Sequence, residues 1–127
     1  MPVVENATIA QWTGRAMQLN VTPGQEFKIY GDITEIQGAV CDLASVDITR
    51  LPNLNYFMMF GSGLTSLDLS QSIGLVTLNV ADNALTTLDF SNCPNLKQVL
   101  CYGNNISGAN MTAMMNSHIE RAEAGYG

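Results

Sequence analysis

The chain has 127 residues with eleven acidic and five basic side chains, a net charge of −6, and only 13% charged against 46% apolar residues. This length fits one domain with a sizeable core, and the acidic balance leaves no Lys/Arg stripe to displace counterions, which argues against nucleic acid as a partner. No run approaches the roughly 18 to 20 apolar residues of a membrane helix, and the start MPVVENATIA lacks a basic region followed by an apolar one, so neither membrane insertion nor an export signal is read here.

Residues 1–32 read as an N-terminal β cap. Met17, Leu19 and Val21 alternate in one run and Phe27 and Ile29 in another, with Thr22-Pro23-Gly24-Gln25 between them, which predicts a β-hairpin joining the two runs. Trp12 is expected to pack beneath it.

Residues 33–108 carry an internal repeat. LASVDIT from Leu43, LTSLDLS from Leu64 and LTTLDFS from Leu85 recur at a period of 21 residues. The other half of each unit follows the template L-x-x-L-x-L-x-x-N-x-L. Leu75, Leu78, Val80, Asn83 and Leu85 fill it completely, and Leu96, Val99, Cys101, Asn104 and Ile106 fill it again. Leu54, Phe57, Met59, Ser62 and Leu64 precede them, after Ile33, Ile36, Gly38, Cys41 and Leu43. Four units are thus in phase. The period-two alternation in L-x-x-L-x-L describes a strand with one buried face, and stacked units would pair such strands in parallel. The turn slot, Cys41, Ser62, Asn83 and Asn104, is structural: an asparagine amide there can satisfy backbone groups of its own and neighbouring units. The L-x-x-L-D-L-S half is expected as a short strand or extended stretch on the opposite wall, with SNCPN (91–95) and RLPN (50–53) as turns.

Residues 109–127 read as a capping helix and tail. Asn110 is the expected N-cap, Met111, Met114 and Met115 share the face that would close the last unit, and the tail RAEAGYG is expected to fray. The whole is therefore expected to be a β-rich leucine-rich-repeat solenoid, one domain with a β cap before it and a helix after it.

KIYGDITEI (28–36), LTSLDLS, SNCPNLKQVLCYGNNISG and NMTAMMNS together resemble leucine-rich-repeat proteins of gut Bacteroides and relatives, over roughly Lys28 to Ser117. The resemblance implies an extracellular or surface-attached domain of a bacterium that binds protein or glycan. The chain departs from that pattern after the helix, where SHIERAEAGYG stands in place of an S-L-P-x-R-like segment.

The outward positions of the template strands are Glu35, Gln37 and Ala39, then Tyr56, Met58 and Phe60, then Thr77, Asn79 and Ala81, then Gln98, Leu100 and Tyr102. Tyr56, Met58, Phe60, Leu100 and Tyr102, with Asn79 and Gln98 as hydrogen-bonding groups, form the candidate binding surface, since solvent-facing strands rarely gather this much aromatic and apolar area without use. On the other wall Asp47, Asp68 and Asp89 share one slot beside Ser66, Thr87, Ser70 and Ser91. That column reads as a solvated structural series, with a hard cation as the alternative. Cys41, Cys93 and Cys101 lack C-x-x-C spacing and read as free thiols, and His118 has no positional reason to reach any of them. Gly61-Ser62-Gly63 lies in the repeat turn, and no phosphate loop, H-E-x-x-H or G-x-S-x-G occurs. No catalytic residue, metal site or cofactor is assigned. The expected role is a non-catalytic module binding protein or glycan; the alternative is a structural spacer or self-assembling element.

Overall fold

A computed structural model describes residues 3–5, 7–12, 17–21, 27–39, 43 and 45–123. It is a small β-rich domain with a four-stranded parallel sheet and one helix.

The N-terminal part contributes β1 (Val3–Glu5), β2 (Ala7–Trp12), β3 (Met17–Val21) and β4 (Phe27–Tyr30). The two predicted strands exist, but they do not form a hairpin with each other. β3 pairs antiparallel with β2, Ala7 opposite Val21 and Trp12 opposite Met17. One edge of β4 takes β1 antiparallel, and the other takes β6 (Val46–Asp47) in parallel. A strand has two edges; with both occupied, β4 has none left for β3. The expected turn at Thr22–Gln25 lies outside the described residues.

The template strands appear where the alternation puts them: β5 (Glu35–Ala39), β7 (Tyr56–Phe60), β8 (Thr77–Asn79) and β9 (Gln98–Leu100), in the order β5-β7-β8-β9. Their register equals the sequence period, with Tyr56 beside Thr77 beside Gln98, and Met58 beside Asn79 beside Leu100. Backbone bonds repeat at the same offset before each strand: Asn55 N–H donates to Thr34, Val76 N–H to Asn55 and Lys97 N–H to Val76, at 2.8–2.9 Å. Inward residues stack in buried columns, Ile33, Leu54, Leu75 and Leu96 in one and Leu43, Leu64, Leu85 and Ile106 in another, within a single apolar cluster. Burying each such leucine contributes roughly 1.5–3 kcal/mol, which is what holds successive units in register.

The turn after each strand needs a left-handed residue, supplied by Gly61 (φ 61°), Asp82 (φ 55°) and Gly103 (φ 68°). The asparagines follow at once. Asn83 Oδ1 accepts the N–H groups of Ser62 (3.0 Å) and Leu64 (3.1 Å) in the preceding unit, while Nδ2 donates to the carbonyls of Met59, Val80 and Ala81. Asn104 repeats this, accepting from Leu85 N–H (3.0 Å) and donating to Val80, Cys101 and Tyr102. Ser62 is buried in the same slot, but its shorter hydroxyl donates only to Phe60 O of its own strand. Cys41, the fourth member of the series, lies outside the described residues.

On the opposite wall residues 67–69 and 88–90 belong to no strand; of the three L-x-x-L-D-L-S segments only Val46–Asp47 forms one, beside β4, among the described residues. Asp47, Asp68 and Asp89 Oδ1 accept the N–H of Thr49, Ser70 and Ser91 at 2.8–2.9 Å, so the chain turns in the same way after each.

The helix α1 runs Gly108–Glu123. It starts before Asn110, which sits in its first turn and is not its cap. Gly108, at φ 56°, lets the chain swing into the helix early, and Ser107 O accepts the N–H of Asn110 and Met111. Of the three methionines only Met114 joins the core; Met111 and Met115 are exposed. Asn110 and Ala113 line a groove with Asp68 and Asp89, and a helix set down on those residues turns positions 111 and 115 away. The helix also persists through Arg121–Glu123, into the segment expected to fray, while residues 124–127 lie outside the described set.

Candidate functional site

The outer face of the four-stranded sheet brings the sequence-predicted residues together. Tyr56, Met58 and Phe60 alternate with buried Phe57 and Met59 on β7, and Thr77 and Asn79 flank buried Leu78 on β8. Gln98 and Leu100 flank Val99 on β9, with Tyr102 just beyond it. Parallel pairing sets neighbouring strands about 4.8 Å apart, so the β7 and β9 side chains stand about 10 Å apart across β8. Phe60 is 38% exposed, Leu100 37% and Tyr102 64%, while Tyr56 and Met58 are half-buried because the Tyr56 hydroxyl lies 3.7 Å from Met58 Sδ on the same strand. Asn79 Oδ1 accepts the Ala81 N–H at 3.2 Å, which leaves Nδ2 to the face. Gln98 is exposed.

Ala81 departs from expectation. It was read as an outward position, yet it is only 2% exposed. Its methyl is too short to reach past its neighbours in the same row, Phe60 and Tyr102. The side chain of Ala39, the last member of the row, lies outside the described residues.

Two grooves among the described residues lie elsewhere. A groove of about 350 Å³ runs between Asp68, Ser70, Thr87 and Asp89 and the start of α1, and another of about 370 Å³ is lined by Ser45, Asp47, Thr49, Ser66 and Asp68. The carboxylates there serve their own turns. Asp47 Oδ1 also takes the Thr49 hydroxyl at 2.6 Å, and Asp89 Oδ1 the Ser91 hydroxyl at 2.6 Å. Hydrogen bonds from the Ser70 hydroxyl and N–H hold the Asp68 carboxyl below its ordinary range, opposed weakly by slight burial and by the charge of Asp47. Asp68 and Asp89 are exposed and Asp47 is half-buried, so the column is largely hydrated.

Cys93 is a buried free thiol with its Sγ 3.8 Å from Leu69 O, and Cys101 is a free thiol partly covered on the inward side of the last unit, where burial pushes its pKa up. The side chain of His118 lies outside the described residues. No helix among the described residues is long and apolar enough to cross a membrane.

Three features escaped the sequence reading although the period could have found them. Asp82 holds the left-handed position that its counterparts give to glycine. Asn53 Nδ2 donates to Asp32 Oδ1 (2.8 Å) and Asn95 Nδ2 to Ile73 O (3.0 Å), a second asparagine series on the turns that precede the strands. Ser72 stands in the column of Leu51 and Cys93 with its hydroxyl buried. Comparison with protein-family models, curated proteins and solved structures gives no match.

Proposed function

We propose that the chain is a leucine-rich-repeat solenoid that acts as a non-catalytic binding module, recognising a protein or glycan through the outer face of its parallel sheet. The observation that carries this reading is the gathering of Tyr56, Met58, Phe60, Leu100 and Tyr102 on one flat surface, with Asn79 and Gln98 among them. Aromatic rings contribute large contact area at little entropic cost, and the interspersed amides supply direction. The opposite wall is the weaker candidate, because one oxygen of each carboxylate is already held by its own turn. The resemblance to Bacteroides repeat proteins supports display on the outside of a bacterial cell.

The test is a glycan array run beside a pull-down from surface extracts, comparing the native chain with a Tyr56→Ser/Phe60→Ser double variant. Both substituted side chains are at least partly exposed, so the variant should keep the native melting temperature within about 3 °C, equivalent to about 1 kcal/mol. It should lose at least tenfold in affinity for whatever the native chain retains. Equal retention by both would place recognition on another surface.

A further inference from the structure

We infer that the outer sheet face takes an extended basic segment of a protein partner, two cationic side chains of which are held at opposite corners, by Glu35 beside Tyr56 and by Asp82 beside Tyr102. The inference rests on the reading of that face as the binding surface and narrows its ligand.

Each corner joins a carboxylate to an aromatic ring. Glu35 stands directly opposite Tyr56 in the parallel pairing of β5 with β7, so the two half-buried side chains leave the same side of the sheet about 4.8 Å apart. At the far corner Asp82 is exposed, and its carboxylate lies over the bare Cα of Gly103, the residue after Tyr102, in space that a side chain there would fill. Consecutive Cα atoms are about 3.8 Å apart, which sets this carboxylate near the base of the exposed Tyr102. Neither carboxylate takes a hydrogen bond or an ion pair among the described residues. Asp47, Asp68 and Asp89 differ, since each holds its own turn. Asp82 also keeps a left-handed backbone, φ 55°, in the slot that neighbouring units give to Gly61 and Gly103, so its side chain strains the turn without serving it. A cation set between a π face and a free carboxylate is attracted by both.

Charge complementarity selects the occupant. No outward position of the four template strands carries lysine or arginine, and Lys97, which precedes β9, stands at neither corner. In a chain of net charge −6 this face repels anionic ligands, while a basic segment is drawn by the whole molecule and then fixed by the two corners. The register also gives a spacing. Asp82 lies two strands across from Glu35 and five residues further along, roughly 10 Å by 17 Å, a diagonal of about 20 Å. An extended chain covers that in about six residues. Met58 and Asn79 lie along the diagonal, and Asn79 Nδ2 is placed to donate to a carbonyl of the segment. The preferred segment therefore carries basic residues about six positions apart, with uncharged residues between them.

The test titrates the labelled full chain, by NMR, with a blocked peptide of Gly, Ala and Val bearing two arginines at that separation, up to about 10 mM. Saturable shifts are expected at Glu35, Tyr56, Asp82 and Tyr102. Replacing both arginines by citrulline, the uncharged isostere, should weaken binding about tenfold, and halving their separation about threefold. Glu35→Gln and Asp82→Gly should each weaken it about threefold; the second restores the residue that the neighbouring units carry, so the fold is kept. Asp68→Asn, which removes the same charge from the opposite wall, should leave affinity unchanged. Equal binding of the citrulline peptide, an equal loss in Asp68→Asn, or no saturable binding at all overturns the inference. So does an array that yields a neutral glycan indifferent to Glu35→Gln and Asp82→Gly, although its loss in Tyr56→Ser/Phe60→Ser would leave the surface reading standing. A ligand indifferent to that double variant overturns the surface reading itself, so the two fail separately.

Discussion

Asn83 and Asn104 stand one repeat apart and make matching bonds: each Oδ1 takes an N–H from the preceding unit, and each Nδ2 returns to a carbonyl of that unit and to carbonyls of its own. Asn83→Ala would leave the N–H of Leu64 and the carbonyl of Met59 without these partners inside the protein. The expected loss is about 3 kcal/mol or more, since unsatisfied buried groups cost about 1–3 kcal/mol each. Asn104→Ala, at a half-buried position that water can reach, should cost less. Urea denaturation of the two variants checks the order, and an Asn104 variant at least as damaged as the Asn83 variant would contradict it.

The left-handed turn supplies an opposed pair. A Cβ on Gly103 would meet Asp82 Oδ1 at 2.0 Å while the backbone holds φ +68°, so Gly103→Ala combines a clash with backbone strain and should destabilise by about 1–2 kcal/mol. Asp82→Gly removes both the strained residue and the carboxylate in the way. In that background Gly103→Ala should cost measurably less, and a double-mutant cycle with no coupling would show that the two do not interact.

Ser72 has a buried hydroxyl with no hydrogen-bond partner, whereas Cys93 in the same column reaches Leu69 O through its longer C–S bond. Ser72→Ala should therefore stabilise the fold by about 1 kcal/mol and raise the melting temperature by about 3–4 °C. Calorimetry decides this; a drop in melting temperature would mean that the hydroxyl is satisfied in solution.

The lowered Asp68 carboxyl predicts a pH dependence of definite sign. A carboxylate favoured in the folded state contributes stability that is present above its ordinary titration range and lost as pH falls through its folded value. Asp68→Asn should remove that contribution where it is present, lowering stability slightly near neutrality because the group is exposed, and leave stability unchanged at a pH below the folded titration. Ser70→Ala should move the Asp68 titration seen by NMR back upward. An Asp68 that titrates at the same pH in both proteins would contradict the assignment.

Much of this architecture is legible in the 21-residue period, because the same side-chain type must recur wherever stacked units share a column. Leu54, Leu75 and Leu96, the asparagine series and the outward face follow from that alone. What the period does not carry is the fate of the ends. The partners of β4 depend on which edges β1 and β6 claim, and nothing local to Met17–Tyr30 encodes that choice. The position of α1 depends on where Asn110 and Ala113 settle beside the aspartate wall, so its heptad-like methionines overstate how much of the helix is buried. Ala81 shows the remaining limit: strand parity gives a direction, but exposure also depends on the size of the neighbours.

The location of the binding surface is tested most directly by NMR, titrating the labelled chain with the ligand that the array or pull-down yields. The account predicts amide shifts concentrated on Tyr56, Met58, Phe60, Thr77, Asn79, Gln98, Leu100 and Tyr102. Shifts centred on Asp68, Ser70, Thr87 and Asp89, with the outer sheet face unmoved, would contradict it.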